Sequence, residues 1–371
     1  MFSIVIVTPD VVGERMAGPG IRAWHFADEL AKHFPTTLLG KLEGGASAAP
    51  FPILAADSHE GRVAVRSAAV LIGQPARRFR RRRREQRIIY DLFDPILLEL
   101  NEMYGRRPSL RQRIHLGAEW WRLRSALNEG DLLICATARQ RDLYNGVGDR
   151  MIEIPFGVDM SVGAPAPGRL AAGAAAATPT ILWGGGTWEW LDPRTAVEAV
   201  VQLNSEGLSC RLLFLGRHRP NRQIVDRRRD DRFDQLLQSG RPYVEANDEW
   251  VPYRDRLSWL RRSKIAIMLH RPTAEAAVSI RTRLFDAIAA GVPVITTEEG
   301  FAADLVRREG LGVVVPPLDR QAVAGAIRRL LQDDVFYGEC VSNLARVRPR
   351  FAWDVVVRPL IEVIRQWQKQ F

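Results

Sequence analysis

The chain has 371 residues, 46% of them hydrophobic and 26% charged, with a formal net charge of +10. This length exceeds a typical single domain and the apolar content can fill two cores, so two domains are expected. Three scattered cysteines exclude a disulfide framework or a zinc site. No apolar run approaches the ~18 residues of a membrane span, and the first residues lack the basic leader of a signal peptide. These features predict a cytoplasmic chain.

Strands and helices alternate through the first half of the chain. A buried strand over residues 2–8 precedes a helix from about Ile21 to His33. Further strands are expected at 38–40, 69–73, 87–91, 132–136 and 151–154, and further helices at 109–128 and 138–144. This alternation predicts a parallel, doubly wound α/β domain over residues 1–160.

A glycine-rich turn, Met16 to Arg22, follows the first strand and lets the backbone approach a ligand closely. The pattern is neither a G-x-G-x-x-G fingerprint nor a P-loop. An ordinary helix start with no ligand has the same letters.

The densest charge lies in the run from Arg77 to Arg84. Like charges this close repel one another unless something anionic is near. Lipid headgroups at the inner face of a membrane, or a lipid-phosphate acceptor, fit this run, and so does a solvated loop with no partner. Nucleic acid is not expected, because no helix-turn-helix, zinc-finger or RNA-recognition pattern accompanies it.

A linker rich in Ala, Gly and Pro is predicted at residues 161–180, before a second α/β domain at 181–350. The second domain opens with a strand at 180–183, a turn at Gly184 to Gly186, a helix at 193–204 and a strand at 211–216. Another strand is expected at 265–269. Ligands of such sheets bind beyond the carboxyl ends of the strands.

The segment from Ser279 to Thr297 reads as a polar turn, a short helix, a Gly-Val-Pro break and a buried strand. It places Arg281 and Arg283 directly before a helix N-terminus, where unpaired N–H groups attract anions. Guanidinium groups here can grip a diphosphate, and Asp286 can accept hydrogen bonds from ribose hydroxyls. An amphipathic helix that opens with two exposed arginines is the plainer alternative.

Several segments resemble family-4 (GT4) glycosyltransferases. The C-terminal ones are Trp250 to Tyr253, Ala289 to Ile295 and Gly310 to Pro317. A Gly-Gly-Gly-x-Trp-x-Trp-x-Asp-Pro turn at 184–193, with Pro155 to Asp159 and Phe351 to Asp354, resembles a bacterial branch of this family. The resemblance implies an α/β, GT-B fold of two Rossmann-like doubly wound domains facing across a cleft. It also implies that residues 351–371 form a helix crossing back to the first domain.

The same resemblance implies a retaining, metal-independent transfer of a sugar from a nucleotide-diphosphate sugar to a hydroxyl acceptor, such as a glycan, a lipid-linked saccharide or a natural product. It implies no metal and no cofactor beyond the donor. By the same resemblance, the first glycine turn would lie near the donor diphosphate, which makes Gly18, Pro19, Gly20 and Arg22 candidate ligand-binding residues. Asp91 and Asp94 are either acceptor contacts or ordinary turn residues.

The chain departs from the family pattern at two places. The turn at 184–193 lacks the usual arginine and lysine, so Arg281 and Arg283 are expected to replace them, with Arg217 as a third candidate. The two usual glutamates read as Val278 and Asp286, which leaves Glu275 as the nearest carboxylate for the donor sugar. The predicted catalytic residues are therefore Arg281, Arg283 and Glu275.

The remaining donor-site candidates lie on the second glycine turn and around the helix start: Gly184, Gly185, Gly186, Thr187, Trp188, His270, Ser279, Ile280 and Thr282. Trp188 and Trp190 are compatible with covering the donor or with core packing. A lone histidine such as His270 is more often structural than catalytic. The loss of glutamate at 278 keeps three rivals open: a pseudo-glycosyltransferase, a GT-B epimerase and a noncatalytic nucleotide-sugar-binding protein.

Overall fold

The structure of the protein is a computed structural model that describes residues 2–43, 49–75, 85–144, 146–160, 178–216, 227–247 and 249–371. It divides into two compact units. The first comprises residues 1–157, 278–280 and 352–371, and the second comprises residues 158–277 and 281–351. Each unit is built on its own parallel sheet with helices packed around it, which confirms the α/β class.

The first unit contains a seven-stranded parallel sheet in the order β3-β2-β1-β4-β5-β6-β7. Its strands are β1 (Ile4–Gly13), β2 (Thr36–Glu43), β3 (Ile53–Ala55), β4 (Val70–Gly73), β5 (Arg87–Asp91), β6 (Leu132–Cys135) and β7 (Met151–Glu153). Its N-terminal helices are α1 (Gly18–Ala31), α2 (His59–Ser67), α3 (Ile96–Tyr104), α4 (Leu110–Glu129) and α5 (Ala138–Leu143). The sheet reverses its strand order between β1 and β4, and ligands of such sheets bind outside this point.

The second unit contains a six-stranded parallel sheet in the order β10-β9-β8-β11-β12-β13. Its strands are β8 (Thr180–Trp183), β9 (Arg211–Phe214), β10 (Val244–Ala246), β11 (Ile265–Met268), β12 (Val294–Thr297) and β13 (Gly312–Val315). Its helices are α6 (Pro193–Ser205), α7 (Arg227–Ser239), α8 (Arg256–Arg261), α9 (Ala274–Val278), α10 (Thr282–Ala290), α11 (Gly300–Glu309), α12 (Arg320–Gln332) and α13 (Asp334–Val347). The order reverses between β8 and β11, so the residues after these two strands meet at one crevice.

The first strand is longer than its sequence predicts. It continues beyond Thr8 to Gly13, and its pairing with β2 shifts register between Val7 and Val11. Pro9 lies inside this irregularity. Proline cannot donate to the ladder, and strands tolerate it at such bulges, so a pattern that treats proline as a terminus ends the strand too early.

The chain end returns to the first unit as α14 (Trp353–Val356) and α15 (Arg358–Gln370). Trp353 is buried, stacks on His25 with ring centroids 4.7 Å apart, and packs edge-on against Phe156 at 5.0 Å. A Cβ at Gly157 would lie only 2.2 Å from the indole ring of Trp353. Gly157 is therefore required for the close approach of this tryptophan.

Candidate functional site

The glycine turn of the second unit lies at the reversal point of its sheet. Gly184, Gly185 and Gly186 follow β8, and Gly185 has φ +84°, a left-handed conformation that side-chain-bearing residues avoid. A Cβ at Gly185 would lie 3.5 Å from Arg283 Nε and 3.6 Å from the indole of Trp250. The backbone angle is therefore the restriction at Gly185, and the turn presents bare backbone to these two side chains.

Arg283 extends from the first turn of α10 to this glycine turn. Its NH2 group donates a hydrogen bond to Gly186 O, and its guanidinium carbon lies 5.5 Å from the centroid of the Trp183 ring. Its NH1 atom is buried without a hydrogen-bond partner, and in the described part of the chain no carboxylate forms an ion pair with it. Burial, reinforced by the neighbouring Arg281, lowers the pKa of Arg283 to about 9.

Arg281 is held differently, in a buried two-point pair with Glu275. Its NH1 and NH2 atoms donate to the two carboxylate oxygens at 2.8 and 2.6 Å. The Glu275 side chain is 1% exposed and the Arg281 side chain 10%. Both oxygens of Glu275 are thus engaged by Arg281, so its contribution in this geometry is to neutralise and orient that guanidinium.

The helix begins between the two arginines and not after both. Arg281 is the N-cap residue with extended backbone, and Thr282 is the first residue of α10. No side chain caps this N-terminus. Its N–H groups and the guanidinium of Arg283 are accordingly both anion donors at one helix start.

Ser279 and Ile280, which precede Arg281, are buried and group with the first unit. The Ser279 hydroxyl has no hydrogen-bond partner among the described residues.

Asp286, predicted to bind ribose, is bonded to a residue that the sequence did not single out. Arg256 Nε donates to Asp286 Oδ1 at 2.8 Å, and both side chains are largely buried. The same guanidinium lies 3.5 Å from the ring centroid of Tyr253 and donates to Tyr253 O at 2.7 Å. Any ribose contact by Asp286 would have to coexist with this pair.

His270 follows β11 by two residues and is 2% exposed. Its backbone N–H donates to Thr297 Oγ1 at 3.0 Å, and its Nδ1 atom lies 2.6 Å from the same oxygen. Burial above all, then Arg281 and Arg283, holds its pKa well below the usual value. The imidazole is therefore neutral at physiological pH, with a buried Nε2 that has no partner in the described chain.

The two tryptophans of the turn stack on each other. The rings of Trp188 and Trp190 are 5.2 Å apart and nearly parallel, at 7°. Trp190 is buried, whereas Trp188 and Thr187 are half-buried. Asp192 caps α6 by accepting from Thr195 N at 3.2 Å, so the Asp-Pro end of the motif has a helix-start role.

In the first unit, the predicted glycine turn is the beginning of a helix. Gly18, Pro19 and Gly20 form the first turn of α1, and a Cβ at Gly20 would lie 2.4 Å from Val11 O. Gly20 therefore allows the helix to pack closely on β1.

Arg22 is 1% exposed, and its guanidinium is engaged in several hydrogen bonds. It bonds Asp91 through Nε at 2.8 Å and NH2 at 3.2 Å, and the carbonyls of Ile154 and Pro155 at 3.0 Å. Its guanidinium carbon also lies 4.5 Å and 4.8 Å from the ring centroids of Phe26 and Phe93. The geometry thus gives Arg22 and Asp91 an internal structural pairing.

Asp94 lies near the reversal point of the first sheet. Gln74 Nε2 donates to its carboxylate at 3.1 Å, and burial, followed by the charge of Asp91, raises its pKa to about 7. A cavity of about 20 Å³ nearby is lined by residues that include Thr8, Pro19, Gln74 and Asp91.

Three predicted features lie wholly or mostly outside the described residues: Arg217, the run from Arg77 to Arg84, and the linker, of which residues 161–177 are not described. Within the described ranges, no three His, Cys, Asp or Glu side chains gather as a metal ion's ligands would. The helices of the described chain are all too short or too polar to cross a bilayer.

Residues 178–333 match the model of the family Glycosyl transferases group 1. A segment of 70 residues is 33% identical to sucrose-phosphate synthase 4 of Arabidopsis thaliana and 31% identical to the sucrose-phosphate synthase of Zea mays. This segment is 19% of the chain and only 7% of either plant protein, so the likeness is local.

Solved structures are similar over nearly the full length. The glycosyltransferase WaaG, involved in lipopolysaccharide biosynthesis, gives a TM-score of 0.72 at 15% identity, with 97% of this chain and 99% of that chain covered. Anabaena HepE in complex with UDP-glucose gives 0.71 at 12% identity, covering 99% and 100%. The sucrose-phosphate synthase of Thermosynechococcus elongatus gives 0.69 at 16% identity, covering both chains completely.

These likenesses agree with the strand orders of the two sheets. Numbered within its own unit, the second sheet has the order 3-2-1-4-5-6, and the first has the same order with a seventh strand added. The chain therefore has the GT-B fold of the glycosyltransferases that it resembles, and the match to the group 1 family lies in its C-terminal half.

Proposed function

We propose that the protein is a retaining glycosyltransferase of the GT4 type, which moves a sugar from a nucleotide-diphosphate sugar to a hydroxyl acceptor without a metal. The observation that carries this proposal is the state of Arg283. A guanidinium that is buried beside a second arginine, with an unbonded NH1 atom and no ion pair to a carboxylate among the described residues, is electrostatically incomplete, because the nearby charge of Asp286 only partly offsets burial and Arg281. A bound anion would complete it.

The position of Arg283 favours a diphosphate over other anions. It lies at the N-terminus of α10, opposite the glycine turn and beyond the carboxyl ends of β8 and β11, where doubly wound sheets bind nucleotides. The solved HepE structures contain UDP-glucose, or UDP with glucose, which supports a nucleoside diphosphate as the donor moiety. We therefore assign the diphosphate to Arg283 and the first turn of α10.

The chemistry follows from charge. As the bond from sugar to phosphate breaks, negative charge grows on the diphosphate, and a preorganised cation there stabilises the transition state more than the ground state. Arg281 is already neutralised by Glu275, so Arg283 supplies the uncompensated charge. The neutral His270 contributes no positive charge but has an Nε2 atom without a partner in the described chain.

A pseudo-glycosyltransferase is the second candidate, because Val278 stands where the family that it resembles has a glutamate, and because Glu275 is engaged by Arg281. A noncatalytic binding protein and an epimerase share this motivation. The acceptor is proposed to be a glycan, a lipid-linked saccharide or a natural product. A cytoplasmic location with peripheral membrane contact through Arg77 to Arg84 belongs to the same proposal.

The test is calorimetric titration of UDP, GDP, dTDP, ADP and CDP into the wild-type chain and Arg283→Ala. One hydrogen bond to a charged group contributes about 1.5–3 kcal/mol, so the variant should lose about 10- to 150-fold in affinity for the preferred diphosphate. Affinity for the matching nucleoside, which lacks phosphate, should not change. Arg194→Ala, an exposed arginine of the same unit, is the matched control.

Equal affinity of wild type and Arg283→Ala for every nucleotide would refute the assignment of the diphosphate to Arg283. If a nucleotide binds as expected, its sugar is offered with and without acceptors and the products are followed by NMR. A transferred sugar with retained anomeric configuration supports the proposal. Product from donor and water alone would indicate the epimerase, and binding with no turnover would indicate the noncatalytic protein.

A further inference from the structure

Helix α4 has a solvent-facing side that is unusually apolar. Leu110, Ile114, Trp120 and Trp121, here called the α4 apolar face, are 75%, 66%, 45% and 66% exposed. At 100° per residue, Leu110, Ile114 and Trp121 fall within about 40° of one another, so they form one stripe along the helix. The described chain has no other helix with four large exposed apolar side chains.

The opposite side of α4 already has its packing partner. Ala126 is buried in the core of the first unit, and Leu123 and Leu127 pack against that core. The helix starts with a capping box between Ser109 and Gln112. The packing of its inner side thus fixes the rotation of α4 about its axis, so the apolar stripe stays on the solvent side.

The exposed charges around the stripe are mainly positive, and the acidic exception is Glu129 in the last turn of α4. Arg111, Arg113 and Arg124 are exposed on α4 beside the apolar face. The acidic Glu119 points away from it, since its side chain is 13% exposed and pairs with Arg122. The guanidinium of Arg124 lies 5.4 Å from the ring centroid of Trp120, which packs edge-on against Trp121 at 5.0 Å.

We propose that the α4 apolar face docks the protein on an anionic lipid bilayer, with the helix lying in the plane of the interface. Exposed tryptophan and leucine with flanking arginine is the composition of helices that insert one face at the level of the headgroups. The arginines match a negatively charged lipid surface. This surface lies on described residues and is independent of the run from Arg77 to Arg84.

The test is sedimentation of the full chain with phosphatidylcholine vesicles, with and without phosphatidylglycerol. The wild type should sediment with the anionic vesicles. Trp121→Ser combined with Leu110→Ser should lower the partition coefficient about tenfold or more, because buried apolar area is lost. Val335→Ser, which removes a 75% exposed apolar side chain from α13, is the matched control and should bind like wild type.

The charge is tested separately. Replacing Arg111, Arg113 and Arg124 by glutamine should weaken binding to anionic vesicles about fivefold for each arginine. Binding to neutral vesicles should change little. All substituted side chains are on the surface, so the melting temperature should stay that of wild type.

Two outcomes would overturn the proposal. The first is unchanged sedimentation of either α4 variant, which would place membrane binding elsewhere on the chain or show that there is none. The second is a wild-type dimer in size-exclusion chromatography that becomes a monomer in Trp121→Ser with Leu110→Ser, without vesicle binding by either form. That result would assign the face to a second copy of the chain.

Discussion

Removing the charge of Arg283 should leave the ligand-free protein as stable or make it more stable. The pKa of this guanidinium falls from an ordinary 12.5 to about 9. At about 1.4 kcal/mol per pKa unit, the folded protein disfavours the charged form by at most about 5 kcal/mol. A guanidinium keeps its proton at neutral pH, so this cost is present in the folded state.

Methionine is the informative replacement, because Arg283→Met keeps most of the side-chain packing and removes the charge. It loses the hydrogen bond to Gly186 O and the contact with the Trp183 ring, together about 1–3 kcal/mol. The net change is then at most about 2–4 kcal/mol in favour of folding. This corresponds to a rise of up to roughly 15 °C in the melting temperature at about 2–4 °C per kcal/mol.

Arg281→Met provides the contrast within the same site. It leaves the carboxylate of Glu275 buried and unpaired, which costs about 3–5 kcal/mol and should lower the melting temperature by several degrees. Differential scanning calorimetry without nucleotide measures both variants. If Arg283→Met lowers the melting temperature as much as Arg281→Met does, Arg283 is satisfied within the protein and the argument for a bound anion fails.

Three further substitutions test separate parts of the structure. Asp94→Asn should make stability less dependent on pH. The pKa of Asp94 is about 7 in the folded protein against an ordinary 3.8, so the free energy of unfolding of the wild type should fall as pH rises from about 4 to 7. The same change in melting temperature between pH 5 and pH 8 in variant and wild type would contradict this. Glu309→Gln should destabilise the protein more at pH 7 than near pH 3, as measured by denaturant titration. Hydrogen bonds from Arg350, Arg346 and Arg308 lower the pKa of Glu309 to about 2. The stability that these bonds contribute is therefore lost as pH falls from about 4.5 to 2. Gly157→Ala should lower the free energy of unfolding by about 1–3 kcal/mol, because it forces a Cβ into the Trp353 ring. Gly325→Ala, in open space on α12, should raise it by about 0.5–1 kcal/mol. Equal shifts in melting temperature for the two variants would be incompatible with this packing.

The fold class is readable from the sequence because burial on both faces of a parallel strand leaves a continuous apolar run. The runs at 180–183, 211–214 and 265–268 are strands in the structure, and the helix expected at 193–204 begins at Pro193 as predicted. Short edge strands such as β3 and β10 carry three residues each and give no such pattern. Their position is fixed by pairing with a neighbour, which is tertiary information.

The partners of charged side chains are the part of the site that the sequence could not give. Arg22 pairs with Asp91, 69 residues away, and Arg256 pairs with Asp286, 30 residues away. No local spacing encodes such pairs. Arg281 and Glu275 are only six residues apart, so the closeness of this carboxylate to the arginine was a signal available from sequence.

The glycine turn and Arg283 together replace the cationic turn of the family that the chain resembles. The family that the chain resembles places an arginine and a lysine in this turn, whereas here the turn carries three glycines and the cation comes from α10. A Cβ at Gly184 or Gly185 would lie 3.9 or 3.5 Å from atoms of Arg283, which is ordinary contact, so the exchange is electrostatic and not one forced by space. Because Arg283 donates from α10 to the carbonyl of Gly186, a turn without arginine or lysine still has a cation beside it.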